Sequence, residues 1–398
     1  MRNIIMEDRK YILNVYKRNK LKIVKGKGSY LYDEKGDKYL DMYSGIAVNN
    51  LGLSNPDLLS RITEQASKYI HLSNYFVSEP TVNLAKVLVE SSFASKVFFT
   101  NSGTESNEAA IKLARKFGKS YHEDKVEILT AYNSFHGRTN GSLALTGQEK
   151  YQKDFRPLLP KINHFKFNSI EELTEKVNKN TCGVFLEIIQ GEGGIREVSG
   201  EFIETLVKLS KEYNFLIIID EIQTGLGRTG DLFAYEKFEL RPHIVTLAKS
   251  LGGGMPLGAM LVREDIEDIL KPGDHGSTFG GNPVACAAGE YVMETVLKKD
   301  FINEVRNKSD YIFKRLKELK GKYSDIIKEL RGRGLMIGID VGDYAEDIKS
   351  KALDKKLLLN VTSGSVIRLL PALTIETKEI KEFFTKFTEI LSEIEKNI

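Results

Sequence analysis

An aspartate and a lysine lie about thirty residues apart, and each stands at the end of an apolar run. Asp220 closes the run FLIIID, whose β-branched residues are typical of a buried parallel strand, and Lys249 closes IVTLAK. Ligands in open α/β sheets bind where strands end, so we expect the two side chains to share one crevice. A lysine amine can form a Schiff base with a cofactor aldehyde, and an aspartate can keep a pyridine nitrogen protonated. The pair therefore favours pyridoxal phosphate, although a helix-capping acid and a solvated lysine would leave the same pattern.

The turn Ser102-Gly103-Thr104 is a candidate phosphate site, because it offers two hydroxyls and several N–H groups at the start of a helix. Ser102 and Glu105 fit a capping box, which predicts that the helix begins at Gly103. Serine and threonine at helix starts are also ordinary caps. The turn by itself leaves both interpretations open.

Two further motifs carry side chains that suit a flat, anionic ligand. In SFHGRT, Phe135 could lie on a ring, His136 could neighbour it, and the forked guanidinium of Arg138 suits a carboxylate. In HGSTFGGNP, Thr278 stands among small residues that would let a phosphate approach, with Ser277 beside it as a candidate substrate contact. A core phenylalanine, a hydrogen-bonded histidine and a surface arginine would explain the first motif equally well.

An acid and an arginine far apart in the sequence are predicted to pair. The stretch LEIIQGEGG ends a strand with Glu187 and then offers Gln190 and Glu192 beside three glycines, and Arg368 interrupts the apolar run VIRLLP. A charge inside an apolar run is costly unless it is paired or binds a ligand. Glu192 is well placed to neutralise Arg368, and a solvated loop acid is the alternative.

The elements around these motifs predict an α/β fold. Strands are expected at VFFT, VEILTA, GVFLEI, FLIIID, IVTLA and LGAMLV, with helices between several of them, which favours a mostly parallel, doubly wound sheet. A β-hairpin is expected around the turn Asp33–Gly36. After the central region the chain turns to helices and a short α+β tail. We therefore expect a large cofactor-binding domain over residues 51–285 and a small domain built from residues 1–50 and 286–398.

Composition excludes several classes of protein. With 58 basic and 55 acidic side chains the formal net charge is only +3, which argues against nucleic acid or a membrane surface as a partner. Cys182 and Cys286 lack ligand-like spacing, so we expect free thiols, a reducing compartment and no metal site. The charged N-terminal stretch lacks the apolar region of a signal peptide, and no apolar run is long enough to span a bilayer. These features predict a soluble, cytoplasmic protein.

Taken together and in order, the motifs resemble those of the class III pyridoxal-phosphate aminotransferases of fold type I, with the nearest likeness to the acetylornithine aminotransferases. The resemblance runs through SGIAVNNLG, NSGTESNEAAIKLAR, FHGRT, IIQGEGG, DEIQTGLGRTG, LAKSLGGGMPLGA, HGSTFGGNP and IRLLPALT. It implies a large domain with a mostly parallel seven-stranded sheet and a small α+β domain.

The resemblance also implies roles for individual residues. Lys249 would be the Schiff-base lysine and Asp220 the partner of the pyridine nitrogen. Further cofactor contacts would come from Ser102, Gly103, Thr104, Phe135, His136, Ile222, Gln223 and, from the neighbouring subunit, Thr278. This last contact implies a homodimer with shared active sites.

For the substrates, the resemblance implies that Arg138 holds an α-carboxylate, with Ser277 nearby. Glu192 would pair with Arg368 until glutamate or 2-oxoglutarate claims that arginine. The implied reaction is transamination between N-acetylornithine and 2-oxoglutarate in arginine biosynthesis. Ornithine, succinylornithine and 4-aminobutyrate transaminases share nearly all of these motifs. A nucleotide-binding α/β protein is the non-enzymatic alternative, but GxxxxGK[ST] and a strand-linked GxGxxG are both missing.

Four positions depart from the family pattern. Ile188 stands where a proline is usual, Leu53 and Asn55 replace histidines, and Ala372 replaces a second proline. We expect a slightly altered loop at Ile188 and an altered surface or interface contact at Leu53 and Asn55, with the chemistry unchanged.

Overall fold

The computed structural model describes residues 4–396, which form helices and strands joined by loops. The helices are α1 Ile4–Tyr11, α2 Ser44–Ala47, α3 Pro56–Lys68, α4 Glu79–Glu90, α5 Gly103–Lys119, α6 Asn140–Leu145, α7 Glu149–Gln152, α8 Ile170–Lys176, α9 Gly200–Tyr213, α10 Pro283–Val296, α11 Phe301–Lys322, α12 Ala345–Asp354 and α13 Thr377–Glu395. The strands are β1 Ile23–Lys27, β2 Tyr30–Asp33, β3 Lys38–Asp41, β4 Lys96–Thr100, β5 Glu127–Ala131, β6 Ile162–Phe165, β7 Thr181–Leu186, β8 Ile189–Gln190, β9 Arg196–Glu197, β10 Leu216–Asp220, β11 Ile244–Leu247, β12 Gly258–Val262, β13 Glu329–Arg333, β14 Met336–Asp340, β15 Leu357–Leu358, β16 Asn360–Thr362 and β17 Val366–Leu369.

A seven-stranded sheet in the order β4-β12-β11-β10-β7-β5-β6 forms the centre of the molecule. Only β12 runs against its neighbours β11 and β4, so the predicted mostly parallel sheet is confirmed. Strands β7, β10, β11 and β12 are buried at every residue, because helices cover both faces of the sheet. The carboxyl ends of β4, β5, β7, β10 and β11 lie at one edge, where the site residues gather.

Helix α5 begins at Gly103, as predicted, and the Ser102 hydroxyl accepts a hydrogen bond from the Glu105 backbone N–H. The predicted capping box is only half formed. The Glu105 carboxylate accepts from the N–H of Asn101, one residue before the cap, at 2.6 Å. The Glu105 side chain therefore binds the residue before the cap, and not the N–H of the cap residue Ser102 as a complete capping box requires.

The two ends of the chain build sheets beside the central one. The predicted hairpin β2–β3 is present, and β15 adds to it in parallel through the pair Leu357 and Leu40. A second sheet has the order β13-β14-β17-β16. Both pack on α11 and α13 in one apolar cluster that includes Leu40, Ile312 and Phe383.

Helix α10 crosses the predicted domain boundary at residue 285. It packs against α3 and α4, and its Cys286 and Met293 belong to the apolar cluster of the central sheet. The division at residues 50 and 285 stays a prediction. Between residues 4 and 396, no helix combines the length and hydropathy needed to cross a membrane.

Among the departures from the family pattern, Asn55 has a side-chain role. Asn55 caps α3, its Oδ1 accepting from the N–H groups of Asp57 and Leu58 at 3.1 Å each. Leu53 exchanges backbone hydrogen bonds with Gly28. Ile188 and Ala372 are buried. Asn55 thus supplies a helix cap where the family pattern has a histidine.

Candidate active site

A cavity of about 430 Å³ opens at the carboxyl edge of the central sheet. Most of the predicted site residues line it, together with several that sequence reasoning missed. The lining residues are Val48, Asn101, Ser102, Gly103, Thr104, Phe135, His136, Gly137, Arg138, Glu187, Glu192, Asp220, Ile222, Gln223, Ala248, Lys249, Gly254, Met255, Pro256 and Leu257.

Asp220 is held by three hydrogen bonds at the end of β10, where its side chain is 4% exposed. Its Oδ2 accepts from His136 Nδ1 at 2.7 Å and from Asn107 Nδ2 at 2.9 Å, and its Oδ1 accepts from the Ile222 N–H at 3.0 Å. Asn107 is fixed in turn, because its Oδ1 accepts from the Thr246 hydroxyl at 2.8 Å. The carboxylate is therefore held in one orientation.

His136 acts behind Asp220 as well as lining the cavity. Burial alone would lower the pKa of His136, but the hydrogen bond and the charge of Asp220 together outweigh it and raise that pKa. The other ring nitrogen, Nε2, lies 3.2 Å from the Thr130 hydroxyl. A protonated His136 would place a positive charge directly against the Asp220 carboxyl group.

Lys249 follows β11 and starts a short 3-10 turn with a left-handed φ of 47°. Burial disfavours its ammonium and the Arg368 cation adds to this effect, so the pKa of Lys249 falls to about 8. A lysine with such a pKa has a substantial neutral fraction near neutrality. It can therefore act as a nucleophile or a base.

Gly103 lets the start of α5 approach Ile222. A Cβ added at Gly103 would stand 2.7 Å from Ile222 Cδ1, too close for an undisturbed contact. The Thr104 hydroxyl already has a partner, the Thr139 hydroxyl at 2.8 Å. The Glu105 N–H of the first turn donates to the Ser102 hydroxyl, so the N–H groups of Gly103 and Thr104 are the ones open to an anion here.

Arg138 is exposed at the rim of the cavity. Its guanidinium carbon lies 3.8 Å from the centroid of the Tyr151 ring and 5.5 Å from that of Phe135. The described residues give it no ion pair. Arg138 is thus oriented by stacking, with its charge left for a ligand. Tyr151 was not predicted, since nothing in its sequence context marks it.

The predicted pair of Glu192 and Arg368 is formed. Arg368, 1% exposed, donates from Nη1 to Glu192 Oε1 at 2.6 Å and to Gln223 Oε1 at 3.3 Å. Its Nε and Nη2 donate to Asn360 Oδ1 at 2.9 and 2.7 Å. Burial would raise the pKa of Glu192, but the hydrogen bond and charge of Arg368 lower it. The acid is therefore a carboxylate in the pair.

Glu187 joins two of the loops that carry site residues. Its carboxylate accepts from the N–H of Phe135 at 3.2 Å and from the N–H of Gly191 at 3.3 Å. Burial raises the pKa of Glu187 to about 7, against the opposing charge of His136. Sequence reasoning noted Glu187 but gave it no role.

Ser277 and Thr278 lie outside the main cavity. They line a neighbouring cavity of about 370 Å³, and the Ser277 hydroxyl accepts from Asn101 Nδ2 at 3.0 Å. Asn101 lines both cavities. The expected contact of Thr278 requires a second subunit and stays a prediction.

Known proteins share the sequence and the fold. The family model described as aminotransferase class-III matches residues 12–391. An acetylornithine aminotransferase of Caldanaerobacter subterraneus is 47% identical, over 98% of this chain and 100% of the relative. The structure of an N-acetylornithine aminotransferase from Stenotrophomonas maltophilia superposes with a TM-score of 0.86 at 31% identity, covering 99% of this chain and all of that one. An ornithine aminotransferase from Toxoplasma gondii, described with partial occupancy of PLP at its active site, gives a TM-score of 0.93 at 31% identity, over 99% of this chain and 95% of that one.

Proposed function

The chain belongs to the class-III aminotransferases, and from that premise we propose that it transfers an amino group between N-acetylornithine and 2-oxoglutarate. The products are N-acetylglutamate semialdehyde and glutamate, a step of arginine biosynthesis. One observation carries the proposal. Lys249, Arg138 and Glu192 line one cavity, where the described residues give Arg138 no ion pair and Glu192 pairs with the buried Arg368.

The residues present fit pyridoxal phosphate as the cofactor. Asp220 is a fixed buried carboxylate that suits a pyridine N–H. Phe135 and Ile222 offer apolar surfaces for the two ring faces, and Gln223, which also lines the cavity, suits the ring hydroxyl. The N-terminus of α5 at Ser102-Gly103-Thr104 suits the phosphate. When bound, the cofactor supplies an aldehyde for amino groups and a ring that withdraws electrons from the reacting carbon.

Lys249 is the proton carrier of the proposed reaction. Once a substrate amine had taken its place on the cofactor, the free Lys249 amine would remove the proton from the substrate carbon and deliver it to the cofactor carbon that receives the amino group. A pKa of about 8 suits both tasks near neutral pH. Asp220, oriented by Asn107 and His136, would hold the ring N–H and so favour its protonated form.

The two arginines divide the substrate carboxylates between them. Arg138, exposed and stacked on Tyr151, binds the α-carboxylate of N-acetylornithine. When N-acetylornithine is bound, Glu192 neutralises Arg368, so this arginine presents no uncompensated positive charge to the substrate amine. With glutamate or 2-oxoglutarate, the additional carboxylate displaces Glu192. One site can thus accept two substrates of different charge.

We further propose that two copies form a homodimer in which Thr278 contacts the cofactor phosphate of the other subunit. Tyr75 and Thr278 line one cavity, and the chain segments that contribute them carry large exposed apolar side chains: Ile70, Tyr75, Phe76, Val77, Val82 and Phe279. Asn74 joins these residues to the loop, donating from Nδ2 to the Ser277 carbonyl at 2.9 Å. An apolar patch of this kind on a chain is typical of a subunit interface. The cytoplasmic location stays a prediction.

Visible absorption of the purified protein tests the proposal. N-acetylornithine, ornithine and 4-aminobutyrate are added separately to the cofactor-loaded protein. We expect N-acetylornithine to bleach the yellow band most strongly. Preferential bleaching by ornithine or 4-aminobutyrate would assign the chain to that sister activity. If no band formed after reconstitution with pyridoxal phosphate, the aminotransferase mechanism would be wrong.

A further inference from the structure

Asn360 lies directly opposite Arg368 across two antiparallel strands. The register of β16 and β17 pairs these residues, so their side chains point to the same face of the sheet. On the other side of β17 the partner of Arg368 is Gly338, which has no side chain to occupy that face. Asn360 is therefore the cross-strand side chain that reaches the guanidinium.

One oxygen of Asn360 occupies one edge of the guanidinium. Its Oδ1 accepts from Nε at 2.9 Å and from Nη2 at 2.7 Å. Because arginine only donates, the amide must present its oxygen here. Nη1 faces Glu192 and Gln223, so the edge formed by Nη1 and the second N–H of Nη2 remains for an exchanging carboxylate.

The same face of β16 also holds the loop that carries Glu192. The Thr362 hydroxyl, two residues beyond Asn360, lies 3.1 Å from the Glu192 carbonyl and 3.3 Å from the Gly191 carbonyl. Asn360 fixes the cation, and Thr362 fixes the backbone behind the anion. When the ion pair opens, only the Glu192 side chain has to move.

We propose that Asn360 is a positioning residue that sets specificity for dicarboxylate substrates, a role that rests on the proposed function. It fixes the plane of Arg368 without neutralising it. A neutral amide leaves the whole charge of Arg368 for Glu192 or for the additional carboxylate of glutamate and 2-oxoglutarate. An acid at this position would be a permanent counterion, and the exchange would be lost.

The substitution Asn360→Asp tests this role, because it keeps the shape and adds one negative charge. We expect the KM for 2-oxoglutarate and the inhibition constant of glutarate, an unreactive dicarboxylate, to rise about 10- to 100-fold. The KM for N-acetylornithine should change less than about threefold, because Arg368 is already neutralised with that substrate. A residue with a merely structural role would shift the kinetics of both substrates together.

Two further variants complete the experiment. Asn360→Ala adds no charge and removes the fixed plane, so it should also raise the KM for 2-oxoglutarate selectively, by about tenfold. Asn214→Asp makes the same change of charge at the exposed, left-handed C-cap of α9, away from the cavity, and should leave both KM values unchanged. Cofactor absorbance and thermal unfolding of each variant establish that it is folded.

The outcomes separate this inference from the proposed function. An active wild type together with an Asn360→Asp variant of unchanged KM for 2-oxoglutarate would overturn the role of Asn360 and leave the transamination intact. The same holds if Asn360→Ala, folded and loaded with cofactor, binds glutarate as the wild type does. A wild type that fails to use N-acetylornithine with 2-oxoglutarate would overturn both.

Discussion

At the scale of single residues, burial moves the pKa of three side chains towards neutrality. Lys249 has its pKa lowered to about 8, while Glu187 and Glu221 have theirs raised to about 7, and burial is the largest cause in all three. The cavity therefore holds a lysine and an acid that both titrate near neutrality. Such displaced pKa values are typical of catalytic sites, although Glu221 is buried behind this one.

Replacing Lys249 with alanine should abolish turnover and leave the fold intact. The proton carrier and the covalent anchor of the cofactor are lost together, and rates should fall by several orders of magnitude. Single-turnover kinetics with N-acetylornithine and the far-ultraviolet circular dichroism measure the two effects. Turnover at the wild-type rate would show that another residue is the base.

Replacing Arg138 with alanine should weaken binding of N-acetylornithine. The lost charge-assisted contact predicts a KM higher by about 10- to 100-fold with little change in kcat. Steady-state kinetics at saturating 2-oxoglutarate give both constants. An unchanged KM would remove Arg138 from carboxylate binding.

Replacing Glu221 with glutamine should stabilise the protein at neutral and alkaline pH. Glu221 is 1% exposed, and its carboxylate accepts from the Tyr235 N–H and the Thr224 hydroxyl. The folded pKa of about 7 exceeds the ordinary 4.5, so the folded state binds more protons and wild-type stability falls as pH rises between these values. The cost above pH 7 is about 3 kcal/mol. Thermal unfolding across this range should show that the stability of the variant exceeds that of the wild type by an amount that grows as pH rises. A difference in stability that is the same at every pH would contradict the titration of Glu221.

At the scale of elements, α5 carries much of the site and lies very close to its neighbours. At its C-terminal end a Cβ on Gly118 would stand 1.9 Å from the Lys125 carbonyl oxygen, a backbone atom that cannot move aside cheaply. Close packing there and at Gly103 fixes the helix against the sheet. The N-terminal turn of α5 can then meet a phosphate in a constant position.

Replacing Gly118 with alanine should destabilise the protein by about 2 kcal/mol or more, through this clash. Gly321, near the end of α11, has no atom within 4 Å of an added Cβ and provides the matched control. There alanine should stabilise by about 0.5 to 1 kcal/mol, because glycine is a poor helix former. Chemical denaturation gives the free energy of unfolding of both variants. Equal changes in that free energy would contradict the predicted clash at Gly118.

The strands with long β-branched runs, such as β7, β10 and β11, could be predicted from sequence, as could the start of α5. Strands β6 and β13 could not, because INHF is short and polar and ELRGR contains charges and a glycine. The 3.6-residue period places Ala110 and Leu113 on one face of α5, where both are buried, but it gives no weight to the buried polar Asn107. Asn360 and Arg368 pair within one hairpin, eight residues apart, but nothing in the sequence marks which residue of β16 faces Arg368.

At the scale of the whole molecule, a buried arginine ties three parts of the chain together. Arg228 is fully buried and donates to the carbonyls of Leu335 at 3.0 Å and Pro371 at 2.7 Å, and to the Asn50 side chain. Burial lowers its pKa to about 9, and its contacts are carbonyl and amide oxygens. The loop after β10, the N-terminal region and the C-terminal region are thus joined by hydrogen bonds to one cation.

The proposed homodimer predicts that Tyr75→Asp separates the subunits and reduces activity. Tyr75 is 95% exposed in the single chain, where a charge would cost little, but a charge buried at an interface is expensive. Tyr121→Asp, at a tyrosine that is 56% exposed near the end of α5, is the control and should stay dimeric. Light scattering should give twice the mass of one chain for the wild type and the control. A wild-type mass of one chain would contradict the dimer.

The parallel pairing of β15 with β3 has a consequence for biosynthesis. Leu40 leaves the ribosome more than 300 residues before Leu357, its partner in the sheet. At ordinary rates of translation, roughly 15 to 60 s pass in between. During that interval the edge of β3 has no strand beside it, and such an edge invites aggregation. A chaperone that binds nascent chains would therefore find its target in the first fifty residues, and ribosomes stalled before residue 357 should carry chains sensitive to protease there.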